Sequence, residues 1–256
     1  MEQKYAEILG VKITSTSTSS VLKAISKKLS AKKKFFIVTP NPEIIMLAQK
    51  DSELLKILNS ADFSLPDGIG LKLAEKNLKI IKGRDLMLDL IARNSKVFLL
   101  GASYDVNKKA IETLSKRFPA VKFRGVSGPL LNNSGKPINK KERQIEAETE
   151  KKINQFKPNM LFVGFGAPKQ EKWVYKWLPK LDVGGAMVVG GAFDYISGEA
   201  KLPPRWIANL GFEWLWRLIT QPKRFKRILT ATFLFPLKII QSKIMFYCPF
   251  LRLEQT

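Results

Sequence analysis

Short continuous apolar runs alternate along the chain with stretches whose apolar positions recur every three or four residues, the grammar of strands separated by helices. Ile8 to Ile13 reads as a strand, Ser20 to Leu29 as a helix and Phe35 to Val38 as a second strand. In "TPNP", Asn41 can cap a helix over Pro42 to Ala48, and Pro42 takes the first helical position, where a missing N–H costs nothing. A short helix over Ser52 to Asn59 leads into Ala61 to Leu65, an apolar stretch that ends in "FSLPDGIGL" and sets Asp67 between a proline and two glycines. From Lys96 the pattern repeats: "KVFLLGA" as a buried strand, Val106 to Arg117 as an amphipathic helix, Val121 to Val126 as a strand. A turn-rich excursion, Gly128 to Asn139, precedes a charged helix over Lys140 to Asn154. It is followed by the strand "MLFVGFG", a helix over Ala167 to Trp177, and a last strand and loop, "AMVVGGAFD". "TSTSTSS" (Thr14 to Ser20) reads as a strand-to-helix loop. The expectation is an α/β fold: a mostly parallel sheet covered by helices on both faces, a Rossmann-like core.

The pattern changes after about Ser197. From Lys201 to Thr256 there are ten Lys and Arg against two acids, with three of the five tryptophans and the run "ILTATFLFPLKIIQSKIMFY". Pro236 and Lys238 interrupt that run, leaving it short of the ~20 apolar residues a spanning helix needs. It suits an interfacial helix, or a helix packed on the core with its basic face in water. The expected division is therefore a core over residues 1–197 and a basic amphipathic helical appendage over 198–256.

Composition narrows the chemistry. The 256 residues, 45% hydrophobic, suffice for a sizeable folded core, and 44 Lys and Arg against 22 Asp and Glu give a formal charge of +22. Such a charge attracts nucleic acid, an acidic membrane leaflet or a phosphorylated substrate. Histidine is absent, which removes Ser-His-Asp and Cys-His nucleophile systems and leaves acid–base work to carboxylates. Cys248 stands alone, so no internal disulfide is available. The charged Met1 to Glu7 is followed by no apolar run long enough for a signal peptide, and the expectation is a cytoplasmic protein. Neither a D-x-D pattern among the eight aspartates nor a His/Cys cluster offers ligands for a divalent metal.

Four loops follow strands and carry unusual residues: "TPNPE" (Thr39 to Glu43), "PDGIG" (Pro66 to Gly70), "GFGAPKQEKW" (Gly164 to Trp173) and "VGGAFDYISG" (Val189 to Gly198). In a parallel sheet such loops meet on one rim, and glycines let backbone N–H groups approach a ligand. Asp67 could be a base or the cap of a helix starting near Gly68. Asp194 could hold a ribose or tie down its own loop, and Glu171 is expected on the surface of its helix. Trp214 and Trp216 are expected to anchor the appendage. Arg217, Arg224 and Arg227 can meet diphosphate charge, the last two sharing a helical face at i,i+3.

Taken together, "FIVTPNPEIIMLAQ", "ADFSLPDGIGL", "VGFGAPKQEKW" and "VGGAFDYISG...PPRWI...GFEWLWRL", with the arginines after it, resemble the bacterial WecG/TagA/CpsF glycosyltransferase family from about Ile8 to Arg227. The resemblance implies an inverting, metal-independent enzyme without cofactor. Its donor would be a UDP-sugar carrying N-acetylmannosamine or a related hexose, its acceptor a polyprenyl-diphosphate-linked sugar, and its setting teichoic acid or another cell-surface polysaccharide. It implies Asp67 as catalytic base, Thr39, Asn41 and Gln170 in the sugar pocket, and Arg217, Arg224 and Arg227 at the diphosphate. It also implies a peripheral position on the inner face of the cell membrane and a tendency to form homo-oligomers. Two other readings compete: a non-catalytic UDP-sugar-binding protein on the same fold, and a nucleic-acid-binding protein. Against the last, the charge is spread over surface helices and no nucleic-acid motif occurs, so nucleic acid is not an expected partner.

Overall fold

The computed structural model describes residues 4–204, 213–220 and 225–247. A hairpin of β1 (Tyr5–Ile8) and β2 (Val11–Thr14) precedes a six-stranded, wholly parallel sheet. Its strands are β3 (Phe35–Val38), β4 (Phe63–Ser64), β5 (Lys96–Gly101), β6 (Lys122–Val126), β7 (Met160–Gly164) and β8 (Gly185–Val188), in spatial order β4-β3-β8-β7-β5-β6. The register places Ile37 opposite Met187, and Val163 opposite Val188.

The inner strands are apolar at every position but Lys96, the first residue of β5, because both faces are covered, and their side chains divide with a period of two. Phe36 and Val38, Phe98 and Leu100, Leu161 and Val163 point to one core layer; Phe35 and Ile37, Val97 and Leu99, Met160 and Phe162 point to the other. The first layer packs against α2 (Pro42–Ala48), α3 (Ser52–Ser60), α6 (Lys140–Phe156) and α7 (Lys169–Trp177). The second packs against α1 (Thr18–Ser30), α4 (Gly83–Ala92), α5 (Tyr104–Arg117) and α8 (Ala192–Ile196).

Two elements differ from the sequence reading. Ile8 to Ile13 is a hairpin rather than one strand: Leu9 and Gly10, at φ 48° and 77°, form a two-residue turn between paired Ile8 and Val11. The hairpin then covers the sheet edge, where Thr14 Oγ1 accepts a hydrogen bond from the Ser64 amide at 3.1 Å. Helix α4 is the second difference, a full helix in a stretch with no local start signal. Its N-cap, Lys82, supplies no side-chain hydrogen bond.

After residue 204 the described chain is helical: α9 (Glu213–Thr220), α10 (Phe225–Leu229), a π-helical turn (Thr230–Leu234) and α11 (Phe235–Tyr247). The turn sits where Pro236 can neither donate a backbone hydrogen bond nor clear the preceding carbonyls, so the helix loosens rather than stops. Phe235, fully buried, and Ile239 join the first core layer beside α2. Leu237, Ile240 and Ile244 follow helical spacing on the exposed side. Among the described residues no helix is long and apolar enough to cross a membrane.

Candidate active site

Loops after β4, β3, β8 and β7, four neighbouring strands, meet at one rim spanning about 14 Å at the usual strand spacing. They enclose a cleft of about 990 Å³, its open mouth included, whose lining includes Thr39, Asn41, Asp67, Gly166, Gln170 and Gly190. Helices α2, α4, α7 and α8 all begin there, directing the positive ends of their dipoles at the opening.

Each loop has its own fastening. Asn41 Oδ1 accepts from the Ile44 amide at 2.9 Å, capping α2 as its sequence position predicts. Thr39 is buried, and its hydroxyl donates to the Val188 carbonyl at 3.5 Å, joining the ends of β3 and β8. The Asp67 amide donates to Pro40 O at 3.0 Å and the Ile81 amide to Pro66 O at 2.9 Å, so the "PDG" loop is held between the "TPN" loop and the start of α4.

Asp67 is not the side-chain cap of the short 3₁₀ helix Ile69–Leu73 that follows it, since that helix has none. Its Oδ1 instead accepts from the Gly83 amide at 3.4 Å, the first amide of α4. The missing Cβ at Gly83 lets the start of α4 pack closely on Thr39: one placed there would stand 3.1 Å from Thr39 Cγ2. The carboxylate that sequence singles out is thus oriented by a helix beginning sixteen residues later.

Lys82 and Arg84 enter the cleft from the same helix start and were missed by sequence reasoning. Arg84 lies over the Tyr195 ring, 5.9 Å from its centroid, and also contacts Asp85 at 3.2 Å. Their signal was the basic "KGRD" placed after the apolar "LKII", a pattern with no distinguishing spacing.

Gln170 reaches the cleft wall but is 2% exposed, and its Oε1 accepts from both the Gly166 and Gly190 amides at 3.1 Å. Its Nε2 donates to Glu171 Oε1 at 2.9 Å. Glu171 corrects the sequence reading: far from lying on the helix surface, it is fully buried. Burial pushes its carboxyl up to about 7, against the Gln170 hydrogen bond and the Arg227 charge, which favour ionisation, while the Glu43 charge disfavours it. Lys172 beside it is also buried, in ion pairs with Asp51, the N-cap of α3, at 2.6 Å and with Glu53 in its first turn at 2.9 Å. With both neighbours drawn inward, "KQEKW" is an interior segment.

From the tail, Arg227 lines the cleft and its Nε donates to Glu43 in the first turn of α2. Arg217 lies in α9, with its side chain outside the described residues, and Arg224 lies outside them altogether. Trp216 Nε1 donates to the Lys201 carbonyl at 3.0 Å, fastening α9 to the segment before it; the Trp214 side chain is outside the described residues. Asp194 is held in α8, its main-chain carbonyl accepting from Ser197 Oγ and the Ala200 amide. Among the described residues no group of three or more His, Cys, Asp or Glu is arranged to hold a metal ion.

The parallel α/β sheet gathers a carboxylate, glycine turns and cations from its strand-end loops around one cleft, an arrangement suited to an anionic ligand. The chain belongs to the glycosyl transferase WecG/TagA/CpsF family, whose sequence model matches residues 6–248, and it is a glycosyltransferase. Its relatives include proteins named N-acetylglucosaminyldiphosphoundecaprenol N-acetyl-beta-D-mannosaminyltransferase. The one from Bacillus subtilis (strain 168) is 34% identical over 76% of this chain and 75% of its own length. That from Bacillus spizizenii is 34% identical over 85% and 84%, and that from Staphylococcus aureus (strain MRSA252) 31% identical over 93% and 92%.

Proposed function

We propose that this protein is an inverting glycosyltransferase that moves N-acetylmannosamine, or a related hexose, from a UDP-sugar to a polyprenyl-diphosphate-linked sugar in teichoic acid or other cell-surface polysaccharide synthesis. The observation that carries this reading is the meeting of Asp67, oriented by the α4 N-terminus, with Lys82, Arg84 and Arg227 around one cleft. The names of the relatives supply the acceptor and the sugar.

In this mechanism an acceptor hydroxyl attacks the anomeric carbon of the donor as the bond from that carbon to the UDP oxygen breaks, on the opposite face. Asp67 takes the hydroxyl proton, which becomes acidic only as the new bond forms, so the carboxylate needs placement more than unusual basicity. The departing UDP carries the displaced electron pair, and Lys82, Arg84, Arg227 and the helix N-termini stabilise its charge. Thr39 and Asn41 border the sugar, while Gln170 shapes the wall behind it. Arg217 and Arg224, from the tail sequence, are proposed to add charge for the diphosphate. These cations fill the part that a divalent ion plays elsewhere, and the reaction is proposed to need none.

The appendage, residues 198–256, is proposed to rest on the cytoplasmic membrane surface, where the lipid-linked acceptor resides. Supporting this, Leu237, Ile240 and Ile244 are exposed apolar residues on a helix that also exposes Lys238 and Lys243. The test is transfer from a panel of UDP-sugars to a short-chain polyprenyl-diphosphate N-acetylglucosamine in detergent with excess EDTA. Acceptor-dependent product from UDP-N-acetylmannosamine is expected. A strict divalent requirement would overturn the metal-independent mechanism, and no product from any donor would overturn the assignment.

A further inference from the structure

Gly166 and Gly190 stand at φ 79° and 52°, and no atom lies within 4 Å of where a Cβ would project from either. The two loops that form one wall of the cleft therefore gain no packing at these positions. The Gln170 side-chain oxygen bonds both amides at 3.1 Å. The other end of that amide is held by Glu171 Oε1 at 2.9 Å. Among the described residues only Ser64 Oγ and Glu171 Oε2 are buried side-chain oxygens without a hydrogen-bond partner. Burying a carboxyl with one oxygen unpaired is costly, and an apolar residue would fill the space at less expense.

We infer that Glu171 is a positioning residue: by accepting from Gln170 it locks the oxygen that ties the two glycine loops together, and so sets the donor-facing wall of the cleft. The loop-locking half of this rests on the hydrogen bonds alone; the donor-facing half rests on the function proposed above. Two charged groups act on Glu171, Glu43 from α2 and Arg227 from α10. Burial, the largest influence, raises its carboxyl to about 7.

The test uses the full chain and four variants: Glu171→Gln, which keeps an acceptor for Gln170 but cannot ionise, Glu171→Leu, Gln170→Leu and the Gln170→Leu/Glu171→Leu double variant. Amide hydrogen exchange at Gly166 and Gly190, followed by NMR without ligand, is expected to quicken roughly tenfold in Glu171→Leu, the scale of one lost hydrogen bond. Exchange should quicken at least as much in Gln170→Leu and no further in the double variant, while Glu171→Gln restores protection. Donor KM should rise in Glu171→Leu more than kcat falls. The Gln170 side-chain NH₂ resonances of the wild type should titrate near pH 7 and lose that titration in Glu171→Gln, a readout independent of whether Glu171→Leu folds. Unchanged exchange in Glu171→Leu, additive effects in the double variant, or no titration of Gln170 would overturn the inference. Loosened loops in a protein that turns over no UDP-sugar would instead retain the positioning role and reject the proposed function.

Discussion

Arg227, from a helix near the end of the chain, donates a hydrogen bond to Glu43, in the first turn of the helix that follows β3. This ion pair carries the tail across the mouth of the cleft, and Glu43 is only 18% exposed in its side chain. A half-buried pair at such a place is worth more than a surface one, because removing one member strands the other.

Arg227→Ala should therefore lower kcat roughly 100-fold, the usual scale for losing one preorganised group that stabilises developing charge. Glu43→Gln should cost less, roughly tenfold, since it leaves the guanidinium in place but poorly aimed. Steady-state kinetics on both variants checks the pair. Wild-type turnover by Arg227→Ala would mean that the tail completes nothing at this site.

Leu237→Asp combined with Ile240→Asp should leave thermal unfolding unchanged, because both positions are exposed. Binding to vesicles containing an anionic phospholipid should weaken by tenfold or more, given about 1.5–3 kcal/mol for burying each such side chain. Sedimentation of the two proteins with vesicles measures this. Equal binding would move the membrane contact elsewhere.

Glu171 should leave a signature in stability against pH. Its folded carboxyl is raised from an ordinary value of 4.5 to about 7, so between those values the folded state binds more protons than the unfolded one. Its contribution is fully present below about pH 4.5 and is lost as pH rises through about 7, a swing of order 3 kcal/mol. Glu171→Gln should flatten this part of the curve, so its melting temperature relative to wild type should rise as pH goes from about 4.5 to about 7, the interval that the shift defines. A constant difference across that range would show that Glu171 does not titrate there.

Much of this architecture is legible in the sequence because its signals are local. The apolar strands β3, β5 and β7 and the Asn41–Pro42 helix start are declared by adjacent residues, and the strand-end position of all four loops follows from strand–helix alternation. What escaped is non-local. Helix α4 opens on Lys82 and Gly83, neither a capping signal, because its first amide is met by Asp67 from a different loop. Leu9 and Gly10 turn a hairpin within an apolar run, and its second strand meets the edge strand β4 through Thr14 and Ser64, a contact between residues fifty apart. Glu171 looks exposed in "KQEK" until Asp51, the N-cap of α3, and Glu53 in its first turn draw Lys172 inward. The Gln170 oxygen shared by two glycine amides depends on β7 and β8 being neighbours, which is a property of sheet order and not of any motif.

The most direct test is acceptor-dependent UDP release by wild type and Asp67→Asn, with UDP binding measured on both. The variant keeps an oxygen for the Gly83 amide but cannot take a proton. Asp67 as base predicts release falling roughly 1,000-fold with UDP affinity little changed. Undiminished release would return Asp67 to fastening the start of α4 and contradict its place at the centre of the reaction.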